Sequence, residues 1–195
     1  MAIDRYTAIA ADRKRGQDSF SADRLSPSVS PTKKSPDPFF DLARVFSTGV
    51  GEWASLQVDG EIVPGKVTWA SYVQGALAGC LAQGLAPGSF EAIIHSNVPL
   101  GGGLSSSAAL EVATATLAEA ITGRRLDPVQ KALLCQKAEH DFARMPCGIM
   151  DQFTSVMARG DCLMLLDCRS QKPTWVRLAD PAVTVLIVNS NVKHE

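Results

Sequence analysis

The sequence predicts an α+β fold in which a layer of helices packs on a layer of strands. Two observations lead there. Strand-like and helix-like stretches alternate along the 195 residues, and no segment repeats another. Hydrophobic residues at 46% and charged residues at 20% match an ordinary globular domain with a buried core.

Ala2 to Ala10 reads as a short strand. Gly16 to Asp41 follows, with Ser26-Pro27, Ser30-Pro31, Ser35-Pro36 and Asp37-Pro38. Prolines this dense neither pair in a sheet interior nor allow helix before them, so the stretch reads as a flexible surface loop. From Val63 to Leu85, apolar residues at Trp69, Tyr72, Val73, Ala76, Leu77 and Leu81 step by three and four, which predicts an amphipathic helix ended by Gly84 and Pro87-Gly88. Ser89 to Val98 is strand-like, and a long helical run extends from Ser105 to about Ile121. Asp127 can cap the next helix, with Pro128 suited to its first position, and the run continues to about Phe142. Met145-Pro146-Cys147-Gly148 breaks it, and a short helix from Ile149 to Ala158 comes next. Cys162–Asp167 and Thr184–Asn189 read as two buried strands.

The formal net charge is -1, so no long-range field favours nucleic acid or an anionic membrane. The short basic run Arg13, Lys14 and Arg15 reads as a solvated turn. Five widely spaced cysteines form neither a disulfide framework nor a C-x-x-C zinc pattern. No stretch has the length of a membrane span, and the start of the chain has no signal-peptide core. A cytoplasmic protein, expected to be a monomer, follows.

The most informative stretch is Pro99-Leu-Gly-Gly-Gly-Leu-Ser-Ser-Ser-Ala-Ala-Leu. Gly101, Gly102 and Gly103 clear side chains from a tight turn, so backbone N–H groups can approach a ligand closely. Leu104, Ser105, Ser106 and Ser107 then lead into strong helix formers, and a helix start offers unsatisfied N–H donors and a partial positive charge. This is an anion site suited to phosphate. It is neither a Walker A loop, since the lysine is missing, nor a Rossmann fingerprint, since the glycines are contiguous. Further on, Glu139 lies late in the helix that Asp127 caps, and Asp151 follows the Gly148 turn among Ile149, Met150 and Phe153. One acidic residue to hold a metal and one to accept a hydroxyl proton is the allotment phosphoryl transfer needs. His140 beside Glu139 reads as a hydrogen-bonded structural histidine.

The glycine-serine stretch resembles the phosphate loop of the GHMP kinases, and its wording is similar to the galactokinase branch. Cys147-Gly-Ile-Met-Asp-Gln-Phe resembles that branch's catalytic segment. The resemblance implies the two-layer N-terminal GHMP domain (ribosomal protein S5 domain 2-like), a mixed sheet with helices on one face. It implies transfer of the ATP γ-phosphate to the anomeric hydroxyl of galactose. It makes Asp151 the base, places Ser107 and Glu139 on a magnesium ion (Mg2+), brings the Gly148 backbone to the sugar, and sets Trp69 in the adenine pocket. N-acetylgalactosamine kinase or another GHMP sugar kinase, a non-catalytic sugar and ATP sensor, and a fragment with no function of its own are the alternatives.

The resemblance runs over residues 1–195 and is weak across 16–65. The family's opening signature, Gly-Arg-Val-Asn-Leu-Ile-Gly-Glu-His-Thr-Asp-Tyr, and its second domain are not found, so the domain is expected to be incomplete. Without the sugar contacts of that signature, and with an unpaired sheet edge, poor stability and little turnover are expected.

Overall fold

The computed structural model describes residues 5–13, 42–180 and 182–188. The predicted loop at Gly16–Asp41, the beginning of the predicted first strand, and Lys14 and Arg15 of the basic run lie outside them. Four strands form one sheet: β1 (Thr7–Arg13), β2 (Leu42–Ser47), β3 (Glu52–Gln57) and β4 (Phe90–Ser96), in the order β1-β4-β2-β3. β1 runs antiparallel to β4 and β2 antiparallel to β3, whereas β2 and β4 are parallel, so the sheet is mixed. Arg13, expected in a solvated turn, instead pairs with Phe90 at the end of β1.

Four helices accompany the sheet: α1 (Ala70–Ala82), α2 (Ser106–Thr122), α3 (Pro128–Asp141) and α4 (Met150–Met157). Strand alternation sends Ala43 and Val45 of β2, with Phe90, Ala92 and Ile94 of β4, into one core with Val73 and Leu77 of α1. The opposite face keeps Arg44, Glu91, Phe46, Trp53 and Ile93. There Arg44 donates to Glu91 at 2.9 Å, and its guanidinium stands 4.8 Å from the Trp53 ring centre. A half-exposed face of charged and large apolar residues opposite a buried apolar one is what a sheet covered on a single side shows. The expected two-layer arrangement is therefore present.

A second core joins α1, α2 and α3 through Cys80, Val112, Ala115, Ala118, Leu134 and Cys135. Small residues bring these helices close. A methyl group built on Gly75 of α1 would stand 2.8 Å from the Ala138 Cβ of α3. An ionic contact also links α2 and α3. Lys131 donates to Glu119 at 2.9 Å and to Thr116 at 2.7 Å, while Glu119 also accepts from the Leu126 amide at 2.9 Å. Asp127 caps α3 as expected, accepting from the amides of Val129 and Gln130 at 3.0 and 3.1 Å.

Several elements differ from expectation. The predicted helix from Val63 starts only at Ala70, because Pro64 and Gly65 oppose helix and leave residues 63–69 as irregular chain. β2 and β3 were not predicted. Cys162–Asp167 forms the strand β5 and pairs with an unpredicted partner, β6 (Lys172–Arg177), in a separate two-stranded sheet. β5 is not buried as predicted: Leu163 and Leu165 are 38% and 67% exposed, since a two-stranded ribbon covers neither of its own faces. Residues 184–188 of the second predicted buried strand form none and are exposed; Asn189 lies outside the described residues. Apolar sequence alone does not make a strand where no neighbouring strand supplies the hydrogen bonds.

Candidate active site

The site is built around the start of α2. Gly101 and Gly103 both take φ of +68°, and Ser105 follows at φ 59°, ψ 42°, in the left-handed region. That succession turns the chain out of the irregular segment after β4 and directly into the helix, whose first backbone bond runs from the Ala109 amide to the Ser105 carbonyl at 3.0 Å. Glycine takes these angles without strain, and Ser105 bears a modest cost. The Ser105 side chain does not cap the helix. α3 is closed by Asp127 and Pro128, whereas the first-turn donors of α2 are open to an anion.

Two cavities flank this turn. The larger, about 710 Å3, is lined by Gly103, Leu104 and Ser105 on one side and by Met150, Asp151 and Thr154 of α4 on another. Tyr6, Thr7 and Ile9 from the β1 end complete its wall. The smaller, about 280 Å3, is lined by Gly101, Ser106, Ser107, Leu110, Trp69 and Tyr72, with Val50 and Leu100 nearby. It is mostly apolar, as a flat aromatic guest requires. The loop thus presents successive stretches to two sides, Gly103 to Ser105 to the cavity shared with Asp151, and Ser106 and Ser107 to the cavity shared with Trp69.

Three predicted residues line neither cavity. Gly102 is exposed in the turn, and a Cβ there would meet Pro99 at 3.2 Å. Gly148 is exposed in the segment between α3 and α4. Glu139 is 7% exposed on α3, and its Oε2 accepts from the Gln152 side-chain amide at 2.7 Å. His140 has the structural role expected of it: its Nε2 lies 2.8 Å from the Cys147 carbonyl oxygen and 3.2 Å from the Cys147 amide, pinning the turn before α4.

Sequence reasoning missed the polar group behind the site. Glu111 and Gln152 are fully buried, and the Gln152 amide also donates to Glu111 at 3.2 Å. Burial pushes the Glu111 carboxyl up to about 9, the charge of Glu139 adds to the shift, and the Gln152 amide partly opposes it. Burial first, and then Glu139, Glu111 and Cys147, also raise the Tyr72 phenol. Glu139 and Glu111 therefore act electrostatically on a residue that lines the smaller cavity. The signal for Glu111 was its place one turn beyond Ser107 on α2. For Gln152 it was adjacency to Asp151, which puts successive helix residues on different faces.

Residues 71–159 match the family model for the GHMP kinases N terminal domain. With that match, the chain carries a GHMP kinase N-terminal domain over residues 71–159. It is similar to the galactokinase of Homo sapiens, 51% identical over 131 residues, which are 67% of this chain and 33% of that protein. It is also similar to the galactokinase of Pyrococcus furiosus, 30% identical over 195 residues, the whole chain against 47% of that protein. Its fold is shared with Lactococcus lactis galactokinase, crystallised with galactose, at a TM-score of 0.70 and 21% identity over 90% of this chain and 40% of that one. A mevalonate kinase shares it more distantly, at a TM-score of 0.56 and 16% identity over 76% of this chain and 40% of that one. The chain thus spans between a third and a half of the length of these curated relatives.

Proposed function

We propose that this chain carries the phosphate loop and the proton acceptor of a galactokinase, which moves the γ-phosphate of ATP to the C1 hydroxyl of galactose. One observation carries the reading: Asp151 and the Gly103–Ser105 turn line the same cavity. A sugar hydroxyl in that cavity has a carboxylate on one side and open helix amides on another. Asp151 takes the hydroxyl proton as the oxygen attacks phosphorus. The amides at the head of α2, together with the Ser105 and Ser106 hydroxyls, take up charge on the phosphoryl oxygens. Trp69, in the apolar cavity on the other side of the turn, packs on the adenine, and the exposed Gly148 backbone meets the sugar rim.

The donor set fits Mg2+. Ser107 and Glu139 offer a hydroxyl and a carboxylate, hard oxygen ligands of the kind this ion prefers alongside phosphates and water, and the buried Glu139 is already held by Gln152. Ser107 and Glu139 are the residues that would hold it. A metal held there would supply electrostatic stabilisation of the charge that builds up in phosphoryl transfer. We assign the same protein to the cytoplasm, as a monomer, with ATP and galactose as its small-molecule partners. No helix among the described residues is long and apolar enough to cross a membrane.

The experiment is 31P NMR of the protein with ATP, Mg2+ and galactose, with N-acetylgalactosamine in parallel. The expected product is a sugar phosphate whose phosphorus couples to the anomeric proton, formed from galactose and lost in Asp151→Asn. Phosphate on another hydroxyl, or preference for the N-acetylated sugar, overturns the substrate assignment. Undiminished transfer by Asp151→Asn overturns the role of the base.

A further inference from the structure

Gln152 stands next to the candidate base in sequence yet faces the opposite way. Asp151 lines the larger cavity, while Gln152 is 0% exposed and points into the helix layer. Its side-chain NH2 has two hydrogens, and two carboxylates take them: Glu139 Oε2 on α3 at 2.7 Å and Glu111 Oε2 on α2 at 3.2 Å. The Cys147 sulfur lies 3.8 Å from the same nitrogen. Three helices thus meet at one amide.

We propose that Gln152 is a positioning residue: by donating to Glu139 and Glu111 together, it fixes the Glu139 carboxylate in register with Asp151 on the next residue of the same helix turn. The inference rests on the kinase reading above. Without the Gln152 amide, the buried Glu139 carboxylate would lose the donor that α4 holds in place and could turn toward or away from the neighbouring Glu111 carboxyl. Gln152 removes that choice. Because Asp151 and Gln152 are successive residues on one short helix, a shift of α4 that moves the proton acceptor also moves the donor that holds Glu139. Base and metal ligand keep their spacing.

Glu139 carries the metal role in the kinase reading, so loss of its holder weakens metal binding before it affects sugar binding. Partners that orient a metal ligand typically count for roughly 10- to 100-fold in metal affinity.

The test is Mn2+ binding to the full chain with ADP present, followed by electron paramagnetic resonance, in wild type, Gln152→Met, Glu139→Gln and Phe153→Leu. Phe153 is buried on the same turn, so its truncation reports what loosening α4 does alone. The expected result is Mn2+ affinity roughly 10- to 100-fold weaker in Gln152→Met and in Glu139→Gln, and unchanged in Phe153→Leu. If Gln152→Met does not fold, Gln152→Asn, which keeps the amide on a shorter stem, is expected to show the same loss. Unchanged affinity in the Gln152 variant with a loss in Glu139→Gln overturns the positioning role and leaves the kinase reading standing. An equal loss in Phe153→Leu also overturns it, since loosening the helix is then enough. Unchanged affinity in Glu139→Gln overturns the metal assignment on which the inference depends.

Discussion

Asp151, in the first turn of α4, and Ser105, the residue before the first turn of α2, line one cavity from different sides. The short irregular segment fastened by His140 to Cys147 delivers α4 there, and the glycine turn delivers α2. A proton acceptor and an anion cradle are useful together only when both reach the same ligand. Asp151→Asn keeps the size of the side chain and removes the proposed base. Phosphoryl transfer to the sugar is expected to fall by roughly 10^2- to 10^4-fold while nucleotide binding changes little. A coupled ADP-release assay alongside calorimetric titration of ATP checks both halves. Equal losses in turnover and ATP affinity would show that Asp151 holds the nucleotide instead.

Two glycines separate the physics of the turn from that of the core. Gly101 has φ of +68° and open space where a Cβ would stand, so Gly101→Ala meets only the backbone cost of the left-handed region, about 1–2 kcal/mol. Gly75 sits in a helix, where alanine alone would gain about 1 kcal/mol. Its Cβ, however, would stand 2.8 Å from the Ala138 Cβ and 3.0 Å from the Ala138 Cα, a backbone atom that cannot swing aside. Gly75→Ala is therefore expected to destabilise, by about 1–3 kcal/mol, and to push α3 and its Glu139 outward. Urea denaturation measures both variants. A stabilised Gly75→Ala would mean that the two helices separate without cost.

These contacts also mark how far the sequence could be read. The glycine turn into α2 was legible because three glycines followed by serines and helix formers mark a turn that opens a helix. The cap at Asp127 was legible because its geometry is local. β2 and β3 were not, although Ala43, Val45 and Ser47 alternate inward: Arg44 between them breaks the apolar run, and it is tolerated because it lies on the half-exposed face beside Glu91 and Trp53. Residues 184–188 failed in the other direction, as apolar chain without a pairing strand among the described residues. Glu111 and Gln152 read as ordinary helix polar residues. Their burial depends on three helices meeting, a fact of packing that no window of sequence contains.

The buried pair between α2 and α3 sets the response to acid. Burial by itself raises the Glu119 carboxyl, but the Leu126 amide, Lys131 and Arg125 together bring it below its ordinary value. A carboxylate held down in this way adds stability above its unfolded value of about 4.3, and that stability is lost as the pH falls through the lower folded value. Lys131→Met leaves Glu119, whose side chain is 3% exposed, without its nearest cation. The variant is expected to lose roughly 3 kcal/mol at pH 7, and less below pH 4, where protonated Glu119 no longer needs the lysine. Thermal unfolding of both proteins across pH 3–7 checks this. A constant difference over that range would assign the loss to packing of the lysine stem.

Glu111 behaves in the opposite sense. Its folded value near 9 lies far above the unfolded one, so the folded chain binds a proton there that the unfolded chain has released. The stability from that proton is complete below about pH 4.3 and declines as pH rises toward 9, by up to about 1.4 kcal/mol per pH unit. Glu111→Gln is nearly isosteric, and its amide oxygen still accepts from Gln152 without carrying a proton to lose. The variant is expected to match wild type at about pH 4 and to exceed it increasingly as the pH rises from there toward about 9. Urea midpoints at unit steps of pH resolve the difference. A gap that stays constant would mean that Glu111 is ionised in the folded chain, and the burial that raises it would then have to be relieved by water reaching the three-helix junction.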